Sequence, residues 1–252
     1  MYNLPSLVKT AYYACNRAER NKFDLAEAPD VDLRYCCESL FEFLKINKNL
    51  DEGDGRRTMY SRSQFEVADK RFKYVCEEAA LHGHIDCLKL AHEIGLPWDV
   101  TTCNNAALNG HYECLRYAGI NGCQWGFDTC SNAALNGHLK CLKYLRRHRC
   151  PWNQATCSSA ALNGHLNCLV YARRHRCRWN QATCSNAALN GHLDCLAYAR
   201  ENYCPWNVDT WSSAASNGHQ ACLAYASENG CPRPSGEPQP KKYWDYGVVL
   251  VK

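Results

Sequence analysis

The chain has 252 residues, 46% of them hydrophobic and 21% charged, with a net charge of +4. That content is ample for a packed core, and the lack of any run of about 18 apolar residues excludes a transmembrane helix. Nineteen cysteines behind an N-terminus that reads as neither secretory signal nor transit peptide point to free thiols in the cytoplasm or another reducing compartment, a virion included.

Residues 1–75 follow no repeat. Two helices are expected there, Leu4 to Arg20 with Leu7, Ala11, Tyr12 and Cys15 on its apolar face, and Leu33 to Lys48 with Leu33, Cys36, Leu40, Phe43 and Leu44. Asp51 to Gly55 is a loop, and Gln64 to Val75 leads into the repeats. An open stack of repeats needs a terminal cap over its core, and this region suits that role. The Leu4-Pro5 start is similar to that of an F-box, which implies a ubiquitin-ligase substrate receptor, although the rest of that pattern is absent.

From Cys76 a 27-residue unit runs six times without a gap, restarting at Cys103, Cys130, Cys157, Cys184 and Trp211. A fixed period of this length marks a solenoid, in which each unit buries its apolar face against its neighbours. The units starting at Cys130 and Cys157 differ at five positions only, as expected of duplication. Within one unit, Asn153 stands where an N-cap belongs and Ala155 to Leu162 reads as a short helix. Asn163-Gly164 ends it, because glycine adopts the left-handed conformation without a Cβ clash. His165 to Ala172 begins a second helix, with Leu166, Leu169, Cys168 and Ala172 on one face. Arg173, Arg174, His175 and Arg176 close it with cations at the negative end of its dipole. The unit is an αα-hairpin, and the fold class is an all-α solenoid of stacked helix-turn-helix repeats, with units at 76–237 between the 1–75 region and a 238–252 tail.

Paired alanines in each first helix, Ala79-Ala80 through Ala214-Ala215, let neighbouring first helices approach closely. With the Gly-His that follows them, from Gly83-His84 to Gly218-His219, they make residues 76–231 resemble the ankyrin repeat family. That resemblance implies two antiparallel helices per unit and a protein-binding role. The unit is shorter than the family's usual one, most simply in the β-hairpin finger, and Thr-Cys-Ser-Asn, as in Thr183 to Asn186, replaces the family's Thr-Pro-Leu-His. Shortened units marked by cysteine and tryptophan look like those of protist and large-DNA-virus proteins.

Cysteine recurs at the first, twelfth and twenty-first positions of the unit and histidine at the ninth. His165 and Cys168 are three apart on a helix, a spacing open to zinc. The cysteines nevertheless continue the leucine face, so they read as small core residues with no metal bound. Trp98, Trp125, Trp152, Trp179 and Trp206 read as packing over the loops between units rather than as a stacking platform. Nucleophile-elbow, Walker and dinucleotide glycine patterns are absent. No enzyme, cofactor or small-molecule substrate is expected.

Between Asp128 and Asp194 there is no acidic residue, while Lys140, Lys143, Arg146, Arg147, Arg149, Arg173, Arg174, Arg176 and Arg178 supply nine positive charges. The rest of the chain is net negative, so the basic block is local. Stacking is expected to set Arg146, Arg147 and Arg149 beside Arg173, Arg174 and Arg176, which needs an electronegative partner. The reading is a scaffold, adaptor or structural subunit that binds an acidic protein surface, the alternative being nucleic-acid binding through Arg146 to Arg178. At the far end Pro232, Pro234, Pro238 and Pro240 mark an extended segment. It leads to an apolar tail in which Tyr243, Trp244, Tyr246, Val248 and Leu250 either cap the last unit or add a strand to another protein's sheet edge.

Overall fold

The computed structural model describes residues 39–40, 72 and 74–235. They fall into two compact units, the first built from residues up to Thr129 with Lys143–Cys150, the second from Cys130–Leu142 with residues from Pro151 onward. Ser39 and Leu40 are helical and buried, inside the helix expected from Leu33 to Lys48. The rest of that helix, the Leu4 to Arg20 helix, the Leu4-Pro5 dipeptide and the tail with Tyr243, Trp244, Tyr246, Val248 and Leu250 lie outside the described residues.

Twelve helices lie between Val75 and Glu228, and no described residue is in a strand. In chain order they are α1 (Val75–His82), α2 (Ile85–Glu93), α3 (Val100–Leu108), α4 (Tyr112–Ile120), α5 (Phe127–Leu135), α6 (Leu139–Arg147), α7 (Gln154–Leu162), α8 (Leu166–Arg174), α9 (Gln181–Leu189), α10 (Leu193–Glu201), α11 (Val208–Ser216) and α12 (Gln220–Glu228). Odd and even helices pair as hairpins, as in α1/α2, α3/α4, α7/α8, α9/α10 and α11/α12. First helices stack on first helices (α1 on α3, α7 on α9, α9 on α11) and second helices on second helices.

Local chemistry sets each helix. The Asn153 Oδ1 accepts from the Ala155 N–H at 2.8 Å and starts α7, satisfying one of the amides a helix leaves open at its first turn. Asp99 does the same for Thr101 at 2.7 Å. On α7 the buried residues are Thr156, Cys157, Ala160 and Ala161, a single stripe. Beyond it Gly164 turns left-handed at φ +73°, and the His165 N–H returns to the Ala160 carbonyl at 2.8 Å. On α8 the buried set is Cys168, Leu169 and Ala172.

The core is therefore mostly alanine and cysteine, with a buried leucine on the second helix of each of the first five hairpins and a second one, Leu145, in the third. Leu88, Leu115, Leu142, Leu169 and Leu196 are all fully buried. Paired alanines from Ala79-Ala80 to Ala187-Ala188 are likewise fully buried, and they keep the first helices close.

Successive hairpins are joined by side chains reaching backbone carbonyls. The Nδ2 of Asn163 donates to Leu135 O at 2.8 Å and that of Asn190 to Leu162 O at 2.7 Å. His111 Nε2 donates to Leu81 O, and His219 Nε2 to Leu189 O, each at 3.0 Å. The histidine ring sits where a side chain on the previous unit's glycine would be. A Cβ on Gly164 would lie 2.5 Å from Nδ1 of His192, and one on Gly191 would lie 2.6 Å from that of His219. The Gly-His pair is thus a stacking joint as well as a helix stop. Burial, then the neighbouring His138 and His192, lower the pKa of His165, so this joint carries a neutral ring.

All sixteen cysteines among the described residues are free and buried. Those after the second helices also donate to a carbonyl at the start of the same hairpin: Cys123 to Asp99 O at 3.0 Å, Cys177 to Asn153 O at 3.1 Å and Cys204 to Asn180 O at 3.3 Å. Burial pushes the Cys76, Cys114 and Cys195 thiols up to about 12, and Cys141 and Cys168 to about 11, from 9.0. Below the unfolded value both states hold the proton. Above it the unfolded chain ionises first, so stability falls as pH rises from the unfolded value through the folded ones. Denaturation midpoints should hold to about pH 9 and fall steadily above it. Native thiols should react with an aromatic disulfide reagent only slowly at about pH 8 and completely once unfolded. Rapid labelling of Cys168 in the folded chain would contradict this.

Candidate functional site

The loops that follow the second helices carry the basic residues, and their backbone is unusual. Left-handed residues stand at one register throughout. They are Gly95, Gly122 and Gly230 in three units, but Arg149 (φ +60°), Arg176 (φ +64°) and Tyr203 (φ +66°) in the others. A side chain there costs about 1–2 kcal/mol relative to the right-handed region.

In the first unit, Arg147 and Arg149 are exposed and Arg146 is half-buried. Nearby aromatic residues fill the space under the loops. Trp98 lies face to face on His92, with centroids 3.8 Å apart, and meets the edge of Tyr117. Trp125 meets Tyr144 edge-on at 6.2 Å. At the His92 register before Trp125 stands Gly119, where a Cβ would strike the Trp125 ring. His92, Leu96, Trp98, Asp99 and Val100 also line a shallow recess. Two of its polar side chains are already engaged, Asp99 with the Thr101 N–H and His92 Nδ1 with the Tyr117 hydroxyl at 3.1 Å.

In the second unit, Arg174, Arg176 and Arg178 are exposed. Arg173 is half-buried because its guanidinium lies 4.3 Å over the Trp179 ring. Arg200 does the same over Trp206 at 4.5 Å. Tyr198 and Tyr225 meet these indoles in T-shaped contacts, with centroids 6.3 and 6.4 Å apart. The tryptophans are packed between units, as their sequence spacing predicts. Arg173 belongs to that packing in addition to the basic set.

Elsewhere the cations pair locally, Arg116 with Glu113 at 3.1 Å and Lys89 with Asp86 at 3.7 Å. Among the described residues, no carboxylate lies within ion-pair distance of Arg147, Arg149, Arg174, Arg176 or Arg178. Glu201 stands one unit on from Arg174 in the register and makes no ion pair with it. No group of three or more His, Cys, Asp or Glu among the described residues comes together to hold a metal ion. No helix among them is long and apolar enough to cross a membrane.

Tyr203 was not singled out from the sequence. It is 89% exposed. The signal was present in the register, since a tyrosine and two arginines replace a glycine that the other units keep.

No protein-family model matches the chain, and no curated protein matches it in sequence. Among solved structures it is similar to the crystal structure of the human ASB11 ankyrin repeat domain. The two share 17% sequence identity and a TM-score of 0.52, over 62% of this chain and 84% of that one. The likeness is one of fold, and with the stacked helix pairs it makes this an all-α ankyrin-repeat solenoid.

Proposed function

We propose, from this ankyrin-repeat fold, that the chain is a non-catalytic protein-binding module, acting as a scaffold, an adaptor or a fixed subunit of a larger assembly. Its basic residues, Arg146, Arg147 and Arg149 in the first unit and Arg173, Arg174, Arg176 and Arg178 in the second, face a partner with an acidic surface. The observation that carries this reading is the set of exposed arginines without a carboxylate partner among the described residues, in a stretch with no acidic residue at all. Dipole compensation alone does not require them, because Glu93 and Glu228 close the equivalent helices elsewhere. A stacked helical surface orders little on binding, so separate weak contacts accumulate.

The test is purification of the full chain with its partners from the native source, eluted along a salt gradient. Wild type is compared with an Arg147→Glu, Arg149→Glu, Arg174→Glu, Arg178→Glu variant. A stoichiometric protein partner, weakened by the charge reversals, is the expected result. Elution of nucleic acid alone, with affinity falling by about one log unit per log unit of salt for each phosphate neutralised, would replace this reading with the nucleic-acid one.

A further inference from the structure

Arg176 and Tyr203 occupy one structural position in consecutive hairpins of the second unit, and both hold a backbone conformation that glycine fills in other units. Neither side chain belongs to the buried core. Arg176 is exposed and makes no ion pair among the described residues, and Tyr203 leaves a large ring 89% in solvent. Strained, exposed side chains that persist where a relaxed residue is available mark positions retained for contact with something else.

We propose that the loops of the fourth and fifth repeats form a docking surface for an extended acidic peptide segment of a partner protein. Arg174, Arg176 and Arg178 hold its carboxylates, and Tyr203 packs on an apolar side chain further along it. This deepens the acidic-partner reading above and rests on it. Spacing selects the partner. Consecutive stacked helices lie about 8–10 Å apart, and an extended peptide advances about 3.3 Å per residue. A carboxylate at the arginines therefore brings the third following residue to Tyr203. Tyrosine is a favoured anchor at such surfaces, offering contact area at a low entropy cost. Single-stranded nucleic acid is the poorer fit, because it needs free aromatic faces. Arg173 and Arg200 lie over the Trp179 and Trp206 rings, which leaves the lone exposed ring of Tyr203 in these loops rather than a row of stacking faces.

The experiment measures binding of the full chain to three labelled probes: a peptide with paired glutamates and a leucine three residues on, the same residues scrambled, and an oligothymidylate. Arg176→Gly and Tyr203→Gly are compared with wild type. Each restores the residue used at Gly95, Gly122 and Gly230, so the melting temperature should rise, by about 2–4 °C, and lost binding cannot be lost folding. The ordered peptide should bind more tightly than the scrambled one, and each glycine variant should weaken it about tenfold. Undiminished binding by the glycine variants, no preference for the ordered peptide, no peptide binding at all, or tighter binding of the oligothymidylate through these same residues would overturn the proposal. An Arg174→Glu, Arg178→Glu variant separates the two readings. If it loses the peptide while the glycine variants keep it, the general acidic-partner reading stands and this one falls. If none of the variants changes peptide binding, both fall.

Discussion

Gly164→Ala should destabilise the chain by about 3 kcal/mol, lowering its melting temperature by roughly 6–12 °C. Two costs add. The residue sits at φ +73°, where a Cβ costs about 1–2 kcal/mol, and that Cβ would lie 2.5 Å from the His192 ring. Moving the ring disturbs the joint between the fourth and fifth hairpins. Gly218 provides the control. It has φ +71°, but nothing lies within 4 Å of a Cβ built there. Gly218→Ala should therefore cost only the backbone term, about 1 kcal/mol. Adding His192→Ala to Gly164→Ala should give a double variant less damaged than the sum of the singles, since the clash is gone. Equal losses at Gly164 and Gly218, measured by denaturant and thermal unfolding, would show that the glycine serves its own turn and not the joint.

The second large effect is expected at Leu169. It is fully buried on α8 between cysteine and alanine neighbours. Removing it deletes the largest side chain of its second-helix face. Leu169→Ala should cost about 2–5 kcal/mol, towards the upper part of that range if the surrounding small residues cannot collapse into the cavity. Because repeats interact only with their neighbours, amide exchange should accelerate first in α8 and in the helices packed on it, α7 and α10. A loss under about 1 kcal/mol would mean that the leucine layer does not hold the hairpins together.

Both expectations draw on features the sequence shows unequally. Asn153 as a cap, Gly164 as a stop, the Ala160-Ala161 pair and the Cys168, Leu169, Ala172 face were all legible, because each follows from contacts within a few residues along one helix. Repetition then made a hairpin read once serve for six. The candidate site was only half legible. A charge block without acids is visible in any sequence, but the division between Arg173, laid over Trp179, and exposed Arg174 and Arg176 depends on where the chain turns after α8.

By itself, then, the sequence determined the fold class, the hairpin and its phase, and the basic character of the third and fourth repeats. Helix periodicity, capping and net charge are local or additive properties. The tertiary structure alone decided that Gly83, Gly137, Gly164 and Gly191 each make room for a histidine 28 residues on, and that the later cysteines tie hairpin ends to their starts. It alone showed that Arg149, Arg176 and Tyr203 adopt a glycine's backbone. These contacts join residues 24–30 apart, or depend on the sign of one φ angle, and stacking sets both. A linear pattern records which residues recur at such positions, but not the direction they are made to face.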